Sequence, residues 1–352
     1  MRTQILLATF GIALGLSLLG GVYFVAKEFS LLPPGLVASE ATHFESVADF
    51  HRKMLGHDQR DEHGDKSVSL RSIITPHLNE RVLYDLLPNQ RVQFQGVPVR
   101  LNNCGMRGED VEIPRSPKTV RIAFLGDSFT FGWGVEEDES FVAVTEEVLN
   151  RWLASYGYQA EVLNFGTPGY STFQEVELFL SEDREFQPDI VVVFFIANDF
   201  GLPFFIRGFG TDGEMVTSTH YEKTVQSSQD ETLRAKRAEL VNKLDPNRAL
   251  RQLVQSGREE GFRTLIAFNP HPKWKESYQK LWFVRKSRQI GVIDLRDRFL
   301  EAMHTFQLKE SELSLPDDPH PSAYKHAILG GLLAESLFPE VSLFVERDGD
   351  VE

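Results

Sequence analysis

Two stretches of the chain are apolar at nearly every position, and they constrain the fold more than any other feature. Residues 189–197 read DIVVVFFIA and residues 262–268 read FRTLIAF. Each run has the length of a strand, and a strand that shows no polar alternation is buried on both of its faces. Further apolar runs at 119–125, 160–165 and 291–295 are separated by segments of helical periodicity. The pattern predicts an α/β/α fold, in which helices cover both faces of a central parallel sheet.

The same alternation sets the expected domain organisation. Residues 119–340 are predicted to form one α/β domain, and residues 341–352 a C-terminal tail. Residues 29–118 lack this rhythm, but apolar and polar side chains alternate on either side of Gly96, from Val92 to Leu101, and predict a hairpin or a short sheet. We therefore expect a linker and a small β-containing extension before the α/β domain. The predicted helices of the α/β domain are 140–153, 172–186 and 321–337.

The N-terminus predicts attachment to a membrane. Residues 5–26 contain no charged side chain, and as a helix they would span about 33 Å, close to the thickness of a bilayer core. Phe24 is bulky at a point where signal-peptide cleavage requires a small residue, so residues 1–28 are expected to be an uncleaved single-pass anchor. A cleaved signal peptide is the alternative. Arg2 and Lys27 flank the span and give little charge bias; we expect the bulk of the chain in the periplasm or outside the cell.

Charge, cysteine content and motif context exclude several classes of protein. The net charge is −14 and no basic stripe is present, so nucleic acid is not an expected partner. The single cysteine, Cys104, rules out an internal disulfide. His51, His57 and His63 are six residues apart, a spacing that fits no common metal-ligand motif. Residues 208–213 match a dinucleotide fingerprint, but no helical pattern follows them. We therefore expect neither a metal nor a cofactor.

Polar residues lie directly after several predicted strands, where ligands bind in open parallel sheets. GDSFTFG (126–132) follows the first strand, NFGTPGYST (164–172) the second, and IANDF (196–200) the third. A serine such as Ser128 is a poor nucleophile unless a base lies nearby, and His320, in the segment DDPHPSAYKH, follows two carboxylates that would orient its ring. These residues predict nucleophilic catalysis. A loop of helix-capping polar residues would explain the histidine segment equally well.

These four segments, in this order, resemble the SGNH (GDSL-type) hydrolase superfamily over residues 119–340. The resemblance implies a flavodoxin-like α/β/α fold and activity as an esterase, lipase, thioesterase or carbohydrate deacetylase. It implies that Ser128 is the nucleophile and His320 the base. It also implies that Asp317, three residues before the histidine, completes the triad, with Asp318 as the runner-up for that place.

The resemblance also implies an oxyanion hole. Its donors would be the backbone N–H groups of the nucleophile and of Gly169, together with the side-chain amide of Asn198. Preorganised donors of this kind stabilise the charge that develops on the carbonyl oxygen. Asp127 is interpreted as a residue that fixes the turn. Two positions depart from the family pattern: Phe129 replaces the leucine of GDSL, and Ile196 stands where a glycine is usual.

The expected function is that of a membrane-anchored serine esterase. Its substrate would be an acylated small molecule or saccharide, with acetyl esters of the cell envelope as the main example. An O-acyltransferase with the same triad and a non-catalytic, glycan-binding envelope protein are the alternatives. The segment Asn102-x-x-Gly105-x-Arg107 resembles one that precedes the serine motif in long, membrane-anchored bacterial members. The oligomeric state is left open.

Overall fold

The structure is a computed structural model that describes residues 67–79, 81–207, 215–271 and 274–349. The predicted anchor at residues 1–28, the three histidines of the polar segment that follows it, and the fingerprint at residues 208–213 lie outside the described residues.

Short strands come first along the described chain, and a longer region of alternating strands and helices follows. The strands are β1 (Ile74–Pro76), β2 (Tyr84–Leu86), β3 (Gln90–Phe94), β4 (Val97–Leu101), β5 (Thr119–Gly126), β6 (Gln159–Gly166), β7 (Ile190–Phe195), β8 (Phe205–Arg207), β9 (Met215–Thr217), β10 (Arg263–Phe268) and β11 (Gly291–Asp294). The α-helices are α1 (Ser128–Phe131), α2 (Phe141–Leu153), α3 (Thr172–Ser181), α4 (Ser218–Ser227), α5 (Glu231–Lys243), α6 (Pro246–Glu260), α7 (Trp274–Lys280), α8 (Trp282–Lys286), α9 (Arg296–Thr305) and α10 (Ala323–Gly349).

The five strands predicted from the apolar runs form a parallel sheet with the spatial order β11-β10-β7-β5-β6. Numbered by their order along the chain, these strands lie 2-1-3-4-5, which is the flavodoxin-like arrangement. The direction of winding reverses between β5 and β7, and this reversal opens a crevice at their carboxyl ends. The predicted fold class is therefore confirmed, and the crevice is where a ligand is expected.

Two apolar cores cover the sheet, one on each face. Every residue of β7 is buried. Val192 and Phe194 belong to the core formed with α2 and α10, whereas Val191 and Val193 belong to the core formed with α3 and α6. This division follows from strand geometry, because successive side chains point to opposite faces. Burying one side chain of this size stabilises the folded state by roughly 1.5–3 kcal/mol. A strand with apolar side chains on both faces is therefore most stable at the centre of the sheet, where both faces are covered.

The C-terminal helix is longer than predicted. The sequence pattern predicts that this helix ends at Leu337, yet α10 continues through Pro339 to Gly349. The buried residues Phe338 and Val341 extend its apolar face into the core, and this packing offsets the lost hydrogen bond. Within the described chain, residues 323–346 are long and apolar enough to cross a membrane, but 56% of their most apolar window is buried in the protein. This segment is a core helix of the α/β domain.

The hairpin predicted around Gly96 is present. Strands β3 and β4 pair antiparallel, with Phe94 opposite Val97. Gln95 (φ 53°) and Gly96 (φ 79°) between them are both left-handed, as a two-residue hairpin turn requires. Phe94 is fully buried, and its ring centroid lies 5.0 Å from that of Trp133. The extension therefore packs against the loop that follows α1.

Candidate active site

The candidate nucleophile lies where β5 turns into the one-turn helix α1. Asp127 is the N-cap of this helix, and its Oδ1 accepts the backbone N–H of Phe129 at 3.0 Å. A side chain at Gly126 would overlap Thr130, so only glycine allows the helix to turn back on the strand. This local geometry explains the Gly-Asp-Ser segment. It places Ser128 as the first residue of the helix at the carboxyl end of β5.

The structure brings the predicted base to the predicted nucleophile. His320 Nε2 lies 2.8 Å from the Oγ of Ser128, although 192 residues separate the two along the chain. His320 belongs to the loop before α10, and its carbonyl accepts the N–H of Leu315 at 2.9 Å. Its side chain is 20% exposed. An imidazole in this position is within reach of the hydroxyl proton.

The carboxylate that contacts the histidine is Asp318, and not the predicted Asp317. Asp318 Oδ1 lies 2.5 Å from Nδ1 of His320, and it also accepts the backbone N–H of His320 at 2.9 Å. Asp317 is exposed and has a left-handed backbone (φ 57°), and no hydrogen bond to His320 is found for it in the described chain. The expectation for Asp317 is thus corrected to the runner-up. The physical reason is a local turn, in which the side chain of Asp318 accepts the backbone N–H of the residue two positions later, His320.

The hydrogen bonds to Asp318 keep its carboxyl group ionised. Partial burial by itself would raise the pKa, but the hydrogen bonds from the backbone and ring of His320 outweigh it. The indole Nε1–H of Trp133 adds a third donor, at 3.2 Å from Oδ2. The pKa of Asp318 therefore lies below its ordinary value. A negative charge at this position favours the tautomer of His320 that carries its proton on Nδ1 and leaves Nε2 free to accept.

Trp133 also stacks on the candidate base. The ring centroids of Trp133 and His320 are 4.7 Å apart, with an interplanar angle of 15°. Trp133 is not among the site residues predicted from the sequence. Its only signal was an aromatic side chain shortly after the serine motif, and 185 residues separate it from Asp318.

The predicted oxyanion-hole residues lie beside the nucleophile turn. Asn198 follows β7 in a 3₁₀ turn, and its Nδ2 donates to the Oδ2 of Asp127 at 3.0 Å. Gly169 has a φ of 86°, and a Cβ there would lie 2.5 Å from the Cβ of Phe204. The loop that carries Gly169 is tied to the end of β5 by the N–H of Thr167, which donates to Gly126 at 3.0 Å. Both residues are therefore placed at the crevice where the hydroxyl lies.

Three buried carboxyl groups lie beneath this turn. Burial raises the pKa of Asp127, although hydrogen bonds from Asn198 and from the N–H of Phe129 oppose the effect. Burial and the neighbouring Asp127 raise the pKa of Asp199 well above its ordinary value. Burial and the charges of Asp199 and Asp127 do the same for Glu175, whose two carboxyl oxygens have no hydrogen-bond partner in the described chain. Glu175 is therefore the member best suited to remain protonated.

No metal centre is found in the part of the chain that the structure describes. None of its groups of three or more His, Cys, Asp or Glu side chains is arranged to hold a metal ion. Cys104 is a free, exposed thiol.

A serine hydrogen-bonded to a histidine at the carboxyl edge of a parallel sheet is arranged as in serine hydrolases of the ester-cleaving type. The chain belongs to the GDSL-like lipase/acylhydrolase family, whose model matches residues 124–328 of the 352. It is accordingly an ester hydrolase, and the predicted resemblance is confirmed. The sequence matches none of the curated proteins.

Several solved structures are similar to the chain. A lipase/acylhydrolase from Enterococcus faecalis is 18% identical, with 62% of this chain and 95% of that chain covered and a TM-score of 0.38. The acetyl xylan esterase AlAXEase is 16% identical, with coverage of 62% and 100% and a TM-score of 0.40. A family 3 carbohydrate esterase from Clostridium thermocellum is 15% identical, with coverage of 65% and 100% and a TM-score of 0.37.

Proposed function

We propose that this ester hydrolase is a serine esterase that removes acyl groups, acetyl above all, from a saccharide or another ester of the cell envelope. The observation that carries the proposal is the continuous set of hydrogen bonds at the crevice. Ser128 Oγ lies 2.8 Å from His320 Nε2, and His320 Nδ1 lies 2.5 Å from Asp318. A hydroxyl, an imidazole and a carboxylate in this order are what an activated serine requires.

The first half of the reaction forms an acyl-enzyme. Ser128 Oγ attacks the carbonyl carbon of the ester while His320 Nε2 takes the hydroxyl proton. Asp318 stabilises the imidazolium through Nδ1–H and remains ionised itself. The carbonyl oxygen becomes negative and accepts hydrogen bonds from the backbone N–H groups of Ser128 and Gly169 and from Asn198. The C–O bond of the ester then breaks, and the leaving alcohol takes its proton from His320.

The second half releases the acid. A water molecule attacks the acyl carbon while His320 again acts as the base, and Ser128 leaves with the proton returned by the imidazolium. The same oxyanion donors stabilise this second tetrahedral intermediate. The enzyme is regenerated without any metal or redox step.

The substrate class rests on two further features. Phe204 lies against Gly169 and is 46% exposed, so it offers an apolar contact beside the carbonyl that would be attacked. The uncharged segment at residues 5–26 would hold the enzyme at a membrane as a single-pass anchor, with the α/β domain in the periplasm or outside the cell. Acylated saccharides of the envelope would then be within reach.

The test is active-site labelling of the full-length protein in detergent micelles. A fluorophosphonate probe should label the wild type at Ser128, and Ser128→Ala should abolish both labelling and release of acetate from an acetyl ester. Ser155→Ala is the matched control, because Ser155 is exposed and its hydroxyl donates to the carbonyl of Trp152. A wild type that neither labels nor turns over acetyl, longer acyl or thioester substrates would contradict the proposal.

The same preparation separates hydrolysis from transfer. With a saccharide acceptor in excess, the proposed esterase should still release free acid as the main product. Faster formation of acylated acceptor than of free acid would assign the protein to the acyltransferases instead.

A further inference from the structure

The carboxylate of Asp318 is held at both of its oxygens. Oδ1 contacts the backbone N–H and the ring of His320, whereas Oδ2 accepts only the indole N–H of Trp133 among the described contacts. The same indole ring lies nearly parallel to His320, with an interplanar angle of 15°. Trp133 therefore touches two of the three members of the candidate triad. It constrains the rotation of the carboxylate and the plane of the imidazole together.

A buried arginine from the extension holds the loop that carries Trp133. Arg107 is 4% exposed, and its guanidinium donates to the carbonyls of Phe131 at 3.0 Å, of Val135 at 2.6 Å, and of Gly132. These carbonyls lie at and beyond the end of the one-turn helix α1, where the backbone leaves acceptors unpaired. A planar group with five N–H donors can satisfy several such acceptors at once. Arg107 thereby fixes the backbone on both sides of Trp133.

The charge of Arg107 is retained at neutral pH. Burial lowers its pKa to about 10, and the negative charges of Glu137, Glu136, Glu139 and Asp138 oppose that effect. The arginine therefore acts as a cation with all of its donors available. Phe94 of the hairpin supports the same loop from a second direction, with its ring 5.0 Å from that of Trp133.

We propose that Trp133 is a positioning residue for the Asp318–His320 pair and that Arg107 holds Trp133 in place, so that the extension at residues 67–118 completes the active site. The inference rests on the proposed function, because it assigns a task within the same Ser–His–Asp site. If Trp133 only filled space, any aromatic ring would serve at this position. The hydrogen bond from its indole Nε1–H to Oδ2 of Asp318 is what indicates a positioning role for the nitrogen.

The decisive substitution is Trp133→Phe, which keeps an aromatic ring over His320 and removes the N–H. Turnover of an acetyl ester should fall about 5- to 30-fold, the effect of one or two kcal/mol, since water partly replaces the donor at a carboxylate that is 29% exposed. KM should stay within about twofold, because Trp133 contacts Asp318 and His320 and acts on the ester through them, so its loss should affect the transition state and not ground-state binding. Trp152→Phe, a change of the same kind on α2, should leave both constants unchanged.

A double-mutant cycle shows whether Trp133 acts through Asp318. Turnover is slow in an Asp318→Asn background, so the rate of fluorophosphonate labelling is measured instead. In that background Trp133→Phe should lower the labelling rate by less than about twofold, because the carboxylate that Trp133 orients is gone. A full and additive loss in that background would overturn the inference, and so would wild-type kcat in Trp133→Phe. If the wild type itself fails to label, the proposed function fails instead, and the two failures are thus distinct.

The role of Arg107 is tested with Arg107→Lys, which keeps the charge and loses the planar arrangement of donors. It should lower kcat with little change in KM, and the loss should shrink when Trp133→Phe is already present. Circular dichroism and thermal denaturation identify a variant that does not fold, in which case the Trp133 cycle still decides. A folded Arg107→Lys protein with wild-type kcat would refute the part assigned to the extension.

Discussion

The side-chain amide of Asn198 donates a hydrogen bond to the carboxylate of Asp127, the residue directly before the candidate nucleophile, at 3.0 Å. An amide has two N–H bonds, and this contact occupies one of them. The second N–H is not used by this contact, and the first contact limits the rotation of the amide. The buried aspartate in the Gly-Asp-Ser turn thus caps α1 with one oxygen and orients the amide with the other.

Removal of this amide is expected to affect turnover more than binding. Asn198→Ala should lower kcat by about 10²- to 10³-fold, with a small change in KM, because the donor matters most when charge develops on the carbonyl oxygen. Steady-state kinetics on an acetyl ester measures both constants. Asn103→Ala, on the surface of the extension, should behave as the wild type. An Asn198→Ala enzyme with unchanged kcat would remove Asn198 from the oxyanion hole.

The two neighbouring aspartates before the histidine are expected to differ sharply. Asp318→Asn should lower kcat by about 10³- to 10⁴-fold, since an amide at this position favours the wrong tautomer of His320. Asp317→Asn should stay within about twofold, because Asp317 is exposed and asparagine tolerates its left-handed backbone. Similar losses in the two variants, measured with the same ester, would contradict the assignment of Asp318.

Gly169 is expected to tolerate no side chain. Gly169→Ala forces a left-handed residue (φ 86°) and places a Cβ 2.5 Å from that of Phe204, so the protein should lose about 1–3 kcal/mol of stability and most of its activity. Gly157→Ala is the control for backbone strain alone, since Gly157 has a φ of 68° and open space around it. Thermal denaturation compares the two. Equal melting temperatures would show that Phe204 does not confine Gly169.

The buried Glu175 is expected to make stability depend on pH. Burial and two acidic neighbours raise its pKa in the folded protein, so the folded state holds a proton that the unfolded chain releases near pH 4.3. Stability should therefore decrease as the pH rises above that value, until the carboxyl ionises in the folded state as well. Glu175→Gln imitates the neutral form and should raise the unfolding free energy at pH 8 by about 1–3 kcal/mol.

The advantage of Glu175→Gln should disappear as the pH approaches 4, where both states of the wild type carry the proton. Denaturant unfolding at a series of pH values measures this difference. The exposed Glu310→Gln is a suitable control and should show no such dependence. A variant less stable than the wild type at pH 8 would show that the ionised form of Glu175 is the stabilising one.

The sheet and the turn that carries Ser128 could both be predicted from the sequence alone, because both follow from short-range patterns. All five apolar runs became strands of one parallel sheet. The central strand β7 is buried at every position, as a segment without polar alternation predicts, whereas the edge strand β11 is partly exposed. The hairpin followed from the alternating apolar and polar residues on either side of Gly96, which adopts the left-handed backbone (φ 79°) that glycine readily accepts. The position of Ser128 followed from the rule that functional residues lie just after parallel strands.

Other features depended on contacts between distant parts of the chain. Asp317 and Asp318 are indistinguishable as letters, and only the turn that His320 makes on its way to Ser128 selects the second of them. The helix α10 extends past the predicted end at Leu337 because Phe338 and Val341 are buried in the core, which outweighs the cost of Pro339 inside the helix. The tasks of Trp133 and Arg107 had no local signal, because their partners come from other elements of the fold. Periodicity and turn chemistry are local properties that a sequence displays directly, whereas the direction of a hydrogen bond depends on where the folded backbone places both of its ends.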